Sequence, residues 1–183
     1  GPTGLDNEHP TVVLDGGGTP RALTTPAEHR RPYRPVVGGI SVSTSLEPGA
    51  GTIGLPLVYK AGEAFLLSNR HVLAPGYVSL GTKIVQPGLL VDGGDVNKVI
   101  ATLAGMAPLD LIDAAVARLT VEARPEILGL ASYTAHGEPA LNMAVMKSGR
   151  TTGVTTGHVV ATGVIVDVQY PDGIHRLRDQ VAI

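Results

Sequence analysis

Two residues in this chain have the type and setting for acid–base chemistry. His71 stands in "LSNRHVLA", where the apolar run "AFLLS" breaks at Ser68-Asn69-Arg70 and apolar residues resume at Val72. Asp113 leads "DAAVARL", 42 residues further along. A lone histidine at a strand end is most often structural, and an aspartate ahead of an apolar strand is most often a turn or cap residue. As a pair they have a chemical reading. A buried carboxylate that accepts from one imidazole nitrogen fixes the tautomer and stabilises the imidazolium formed when the other nitrogen takes a proton.

The other polar features carry less. "KSGRTTGVTTGHV", Lys147 to Val159, has the small residues of a tight inter-strand loop, where glycine permits positive φ and close backbone approach. It lacks the Gly-Lys-Ser/Thr ending of a phosphate-binding loop. "DGGD", Asp92 to Asp95, lacks the alternating carboxylates of a calcium loop and reads as a turn. His9, His29, His136, His158 and His175 show no paired metal-ligand spacing, so no metal and no cofactor is expected. Ser68 and Ser148 lack the glycine-flanked setting of an exposed nucleophile and read as strand-end residues.

Short strands must position these groups. Gly 24 and Pro 14 in 183 residues, with Phe 1 and Trp 0, favour many strands and turns filled by Val, Ile, Leu and Ala. "GTIGLPLVYKAGEAFLLS" reads as a hairpin turning at "KAGE", and "YPDG" marks a second turn near the end. "TKIVQPG", "VNKVIATLAG" and "IDAAVARLTV" are further strands, although the alanines of the last also suit a helix. A helical turn is expected at "RPEILGLASY". Residues 1–37, rich in Gly, Pro and Arg, read as leader or linker, with one short strand at "TVVL", Thr11 to Leu14. The arginines of "RRPYRP" fit a solvated basic linker.

Composition excludes several classes. A net charge of -2 without an extended basic run gives no footprint for nucleic acid. No apolar run has the length to span a bilayer, so no membrane partner is expected. Zero cysteines exclude a disulfide framework and a thiolate nucleophile. With no signal-peptide pattern in the first thirty residues, the expected compartment leans to the cytoplasm.

Three motifs in order, "LSNRHVLA", "DAAVARL" and "GRTTGVTTGHVVA", resemble those of the chymotrypsin-like serine peptidases over about Gly38 to Ile183. Within that clan the chain is most similar to cysteine-free bacterial trypsin-like peptidases related to the plant narrow-leaf protein, to which "GTIG", "QPG" and "DGG" add. The resemblance implies an all-β, double antiparallel β-barrel: a first barrel over 38–121, a connection over 122–143 and a partial second barrel over 144–183. It implies a serine endopeptidase acting on protein or peptide substrates through an acyl-enzyme, with His71 as general base and Asp113 as its orienting carboxylate. Asp110 is the runner-up for the second role. The family's nucleophile motif, Gly-Asp-Ser-Gly, does not occur in the 183 residues. The chain alone is therefore expected to be inactive, completed by a further C-terminal segment of the same protein, in one polypeptide or as a separate chain. The alternative is a catalytically silent, protease-fold binding or regulatory module.

Overall fold

The computed structural model describes residues 24–76, 78–89 and 91–183. The strand expected at Thr11 to Leu14 lies outside them. Among the described residues thirteen strands run in order: β1 (Val36–Gly38), β2 (Ser41–Thr44), β3 (Gly51–Thr52), β4 (Leu55–Lys60), β5 (Glu63–Ser68), β6 (Lys83–Val85), β7 (Val99–Met106), β8 (Ala115–Leu119), β9 (Ala123–Ile127), β10 (Ala144–Gly149), β11 (Gly153–His158), β12 (Ala161–Tyr170) and β13 (Gly173–Ala182). Two single-turn helices, α1 (Pro26–His29) and α2 (Arg70–Leu73), complete the elements.

Seven strands form one sheet in the order β3-β2-β6-β7-β8-β5-β4. Its two outer strands, β3 and β4, are one run of chain separated only by Ile53 and Gly54. At that switch Gly39 N donates to Ile53 O (2.8 Å) and Ile53 N to Ile40 O (2.9 Å), while Gly54 N donates across to Leu67 O (3.1 Å). The run thus leaves β2 and joins β5, curling the sheet towards a barrel. Val36, Ile40, Ile53, Leu66, Leu73 and Ile100 are fully buried within it.

The barrel also buries hydroxyls, each with partners. Ser41 Oγ donates to Asp92 Oδ2 (2.6 Å) and accepts from Gly88 N (2.9 Å), and Ser43 Oγ accepts from Leu89 N (2.8 Å). Buried polar groups persist where they are bonded in this way. The DGGD turn is thereby pinned to the inside of β2.

Beyond residue 140 the chain makes two hairpins. β10 pairs with β11 from Ala144↔His158 to Gly149↔Gly153, and β12 with β13 from Ala161↔Ala182 to Tyr170↔Gly173, around the "YPDG" turn. "IDAAVARL", ambiguous in sequence, is strand β8.

Two expectations need correction. The leader or linker of 1–37 does not extend to its last third. Val36 and Val37 enter the core, β1 pairs in parallel with β9, and His29 is fully buried with Nδ1 against Gly39 O (2.6 Å) and Nε2 against Thr24 Oγ1 (2.7 Å). Arg34, expected in a solvated linker, donates through Nη1 to Gln86 Oε1 (2.6 Å), and Gln86 Nε2 donates to Arg31 O (2.8 Å). Composition reads as linker there because the partners lie some fifty residues away. The helical turn expected at "RPEILGLASY" is also absent. Ala123 to Ile127 are drawn into β9 by pairing with β1, a tertiary override of local propensity.

A charged seam joins the β10–β11 hairpin to the barrel. Asp92, with its side chain 1% exposed, receives Arg150 Nε (2.5 Å) and Nη2 (2.9 Å), with Arg30 Nε at 3.9 Å. Burial would raise the Asp92 carboxyl, but the Arg150 and Ser41 bonds together outweigh it and hold it below the usual carboxylate range. Arg150 N donates to Thr52 Oγ1 (3.1 Å) and Ser148 Oγ to Leu128 O (2.6 Å). Gly39, at φ +78, lies so close to Ser148 that a Cβ would fall 2.2 Å from its hydroxyl oxygen, so this junction requires glycine.

Candidate active site

The β5–β8 pair places the site. Its last rung is Ser68↔Ala115, so chain leaving β5 and chain entering β8 meet at one end of the sheet. His71 is three residues past that rung and Asp113 two before it. The chain after β5 turns through Asn69, in extended conformation, into α2, whose Leu73 is buried in the core. His71 is therefore held on an anchored helical turn rather than on the strand end itself.

His71 Nδ1 and Asp113 Oδ2 lie 2.5 Å apart, and His71 N donates to Asp113 Oδ1 (3.0 Å). Asn69 Nδ2 donates to Asp113 Oδ2 (3.2 Å), as does the Tyr170 hydroxyl (3.1 Å). The Asp113 side chain is 7% exposed, and that of His71 is 29%. Burial alone would raise the Asp113 carboxyl. The His71 and Asn69 bonds with the imidazole charge outweigh it, holding the group down at about 2. An ionised carboxylate can only accept, so in the neutral form of the ring Nδ1 is the protonated nitrogen and Nε2 the one able to accept. That is the arrangement of a base whose partner stabilises the imidazolium after proton capture.

A carboxyl lowered from its unfolded value near 3.9 to about 2 contributes about 2 kcal/mol of stability. The contribution is complete above roughly pH 5 and vanishes as pH falls through about 2. Urea midpoints recorded from pH 6 down to pH 2 are expected to fall more steeply for the parent than for Asp113→Asn. Parallel curves would mean that Asp113 does not titrate with this shift.

The structure places Asp110 elsewhere. Its carboxylate is 84% exposed and accepts from His175 Nδ1 (2.8 Å). Neither serine weighed as a nucleophile is available. Ser68 Oγ, in a residue 1% exposed, donates to Thr52 O (2.6 Å), and Ser148 Oγ donates to the Leu128 carbonyl. The glycine-threonine loop, through Arg150, braces the seam. A depression lined by Thr44, Glu47, Gly51, Val72 and Pro75 runs up to the His71 ring. Among the described residues no cluster of three or more His, Cys, Asp or Glu side chains could hold a metal, and no helix is long and apolar enough to cross a membrane. Sequence reasoning missed Asn69 and Tyr170 as Asp113 partners. Asn69 carried a signal in its position between the strand and His71; Tyr170, 57 residues from Asp113, carried none.

Solved structures similar to this chain agree with it in fold. Thermobifida fusca protease A matches with a TM-score of 0.57 at 20% identity, over 79% of this chain and 67% of that one. Nocardiopsis protease matches at 0.53 and 19%, over 80% and 69%. A glutamic acid-specific serine protease that uses a histidine triad in substrate binding matches at 0.53 and 24%, over 80% and 71%. No protein-family model matches the sequence, and no curated protein sequence matches it. The fold is that of the bacterial chymotrypsin-like serine proteases.

Proposed function

We propose that this chain is the base-bearing portion of a trypsin-like serine endopeptidase that cleaves protein or peptide substrates. The observation that carries the reading is the His71–Asp113 pair. A buried carboxylate with four donors orients an imidazole whose second nitrogen is left to accept. In the proposed reaction Nε2 takes the proton of a seryl hydroxyl as it attacks the scissile carbonyl, then returns it to the leaving amine. Water, deprotonated by the same nitrogen, releases the acyl group. The seryl nucleophile and the backbone donors for the oxyanion are assigned to a segment outside the 183 residues, in the same polypeptide or as a separate chain. Supporting this, the Ser68 and Ser148 hydroxyls are committed to carbonyls.

The test is to join the chain to a following segment carrying Gly-Asp-Ser-Gly and to assay peptide hydrolysis together with labelling by a serine-directed phosphonylating probe. Labelling and a burst of acyl-enzyme are expected. A joined form that binds peptides yet neither cleaves them nor takes the label would replace this reading with that of a silent binding module.

A further inference from the structure

Tyr170 ends β12, one residue before the hairpin turn. It is 8% exposed and packs with Leu109, Val168 and Leu177, so the β12–β13 hairpin rests on the loop that carries Asp113. The same loop is gripped a second time, because His175 Nδ1 lies 2.8 Å from Asp110 Oδ1 and Nε2 3.2 Å from Asp172 Oδ1. His175 stands edge-on to the Tyr170 ring at 5.6 Å. On its other side the Tyr170 ring lies 6.2 Å from that of His71, tilted by 51°.

Asp113 is therefore held from two sides. Asn69 and His71, from the first barrel, supply three donors. The fourth is the Tyr170 hydroxyl, which comes from the hairpin half and reaches the same oxygen, Oδ2, that faces His71 Nδ1. A backbone amide fixes Oδ1, and the position of Oδ2 depends on side-chain donors alone.

We propose that Tyr170 is a positioning residue for the hydrolysis assigned above, its hydroxyl holding Asp113 Oδ2 in line with His71 Nδ1 when the β12–β13 hairpin is docked. The effect on turnover rests on the endopeptidase reading; the effect on the pair does not. Burial, and then the Asp113 charge, push the Tyr170 phenol well above its ordinary value, so the hydroxyl remains a donor at neutral pH.

Tyr170→Phe keeps the ring and deletes only the donor. In the 183-residue chain, carboxyl-carbon NMR is expected to show the Asp113 half-titration rising by about one unit, the scale of one lost hydrogen bond to a charged group. The His71 Nδ1 proton should exchange faster with water. The His175 titration should not move, because its Asp110 and Asp172 contacts are untouched. In the nucleophile-bearing form, kcat should fall about tenfold with KM unchanged. An Asp113 titration that stays put overturns the proposal. So does one that shifts together with His175, since the hydroxyl would then act by docking the hairpin. If the parent itself shows no turnover, the endopeptidase reading falls, and the two titrations still decide the role of Tyr170.

Discussion

His71→Ala lowers peptide-bond turnover by about 10⁶-fold in a form of the protein that carries the seryl nucleophile. Nε2 of His71 is the proposed acceptor of the seryl proton, and removing the base disables nucleophile and orienter together because the three act as one unit. What remains is the contribution of substrate binding and oxyanion donors. The fold survives, because the His71 side chain is partly exposed and lies outside the core. Asp113 also keeps the His71 amide, Asn69 and Tyr170 as donors. Steady-state kinetics alongside a thermal melt checks both halves of this expectation. Turnover within tenfold of the parent would assign the base role to another group.

The second large effect is on stability. Asp92→Ala is expected to cost about 3–5 kcal/mol, the usual result of breaking a buried ion pair from one side. That is a large share of the roughly 5–15 kcal/mol that holds a domain together. Asp92 is nearly inaccessible and accepts from Ser41 and twice from Arg150. Its loss therefore strikes the inside of β2 and the junction with the β10–β11 hairpin together. Urea unfolding should show the midpoint falling with the slope retained. A loss below about 1 kcal/mol would mean that water replaces the carboxylate at the seam.

His71 and Asp92 differ in how far the sequence itself reveals them. His71 and Asp113 were legible because each lies at a polar break beside an apolar strand, and because three motifs stand in order along the chain. The hairpin turns at "KAGE" and "YPDG" were legible from local chemistry, since turn residues act within four positions. Asp92 was not. "DGGD" shows a turn, but nothing local says that an arginine 58 residues away will close on its first aspartate. Val36 was hidden for the same reason, since its strand partner Ala123 is distant in sequence. The β9 strand was missed because its pairing with β1, not its own propensity, makes it extended.

The rung Ser68↔Ala115 has a consequence for how such a chain can change over generations. Between His71 and Asp113 the chain passes through β6 and β7, both strands of the same sheet, before β8 begins. Residues inserted or deleted at the exposed tips, Ser79 to Gly81 or Asp95 to Asn97, are absorbed at the surface at small entropic cost, whereas Gln86, Leu89 and the Asp92 side chain are buried and tie their loop to the barrel. The strand pairing keeps the two side chains in place. Pro75, where the chain leaves α2, borders the depression beside His71. The surroundings of the proposed base can therefore vary while the His71–Asp113 geometry is kept, so new surface preferences can arise without rebuilding the pair.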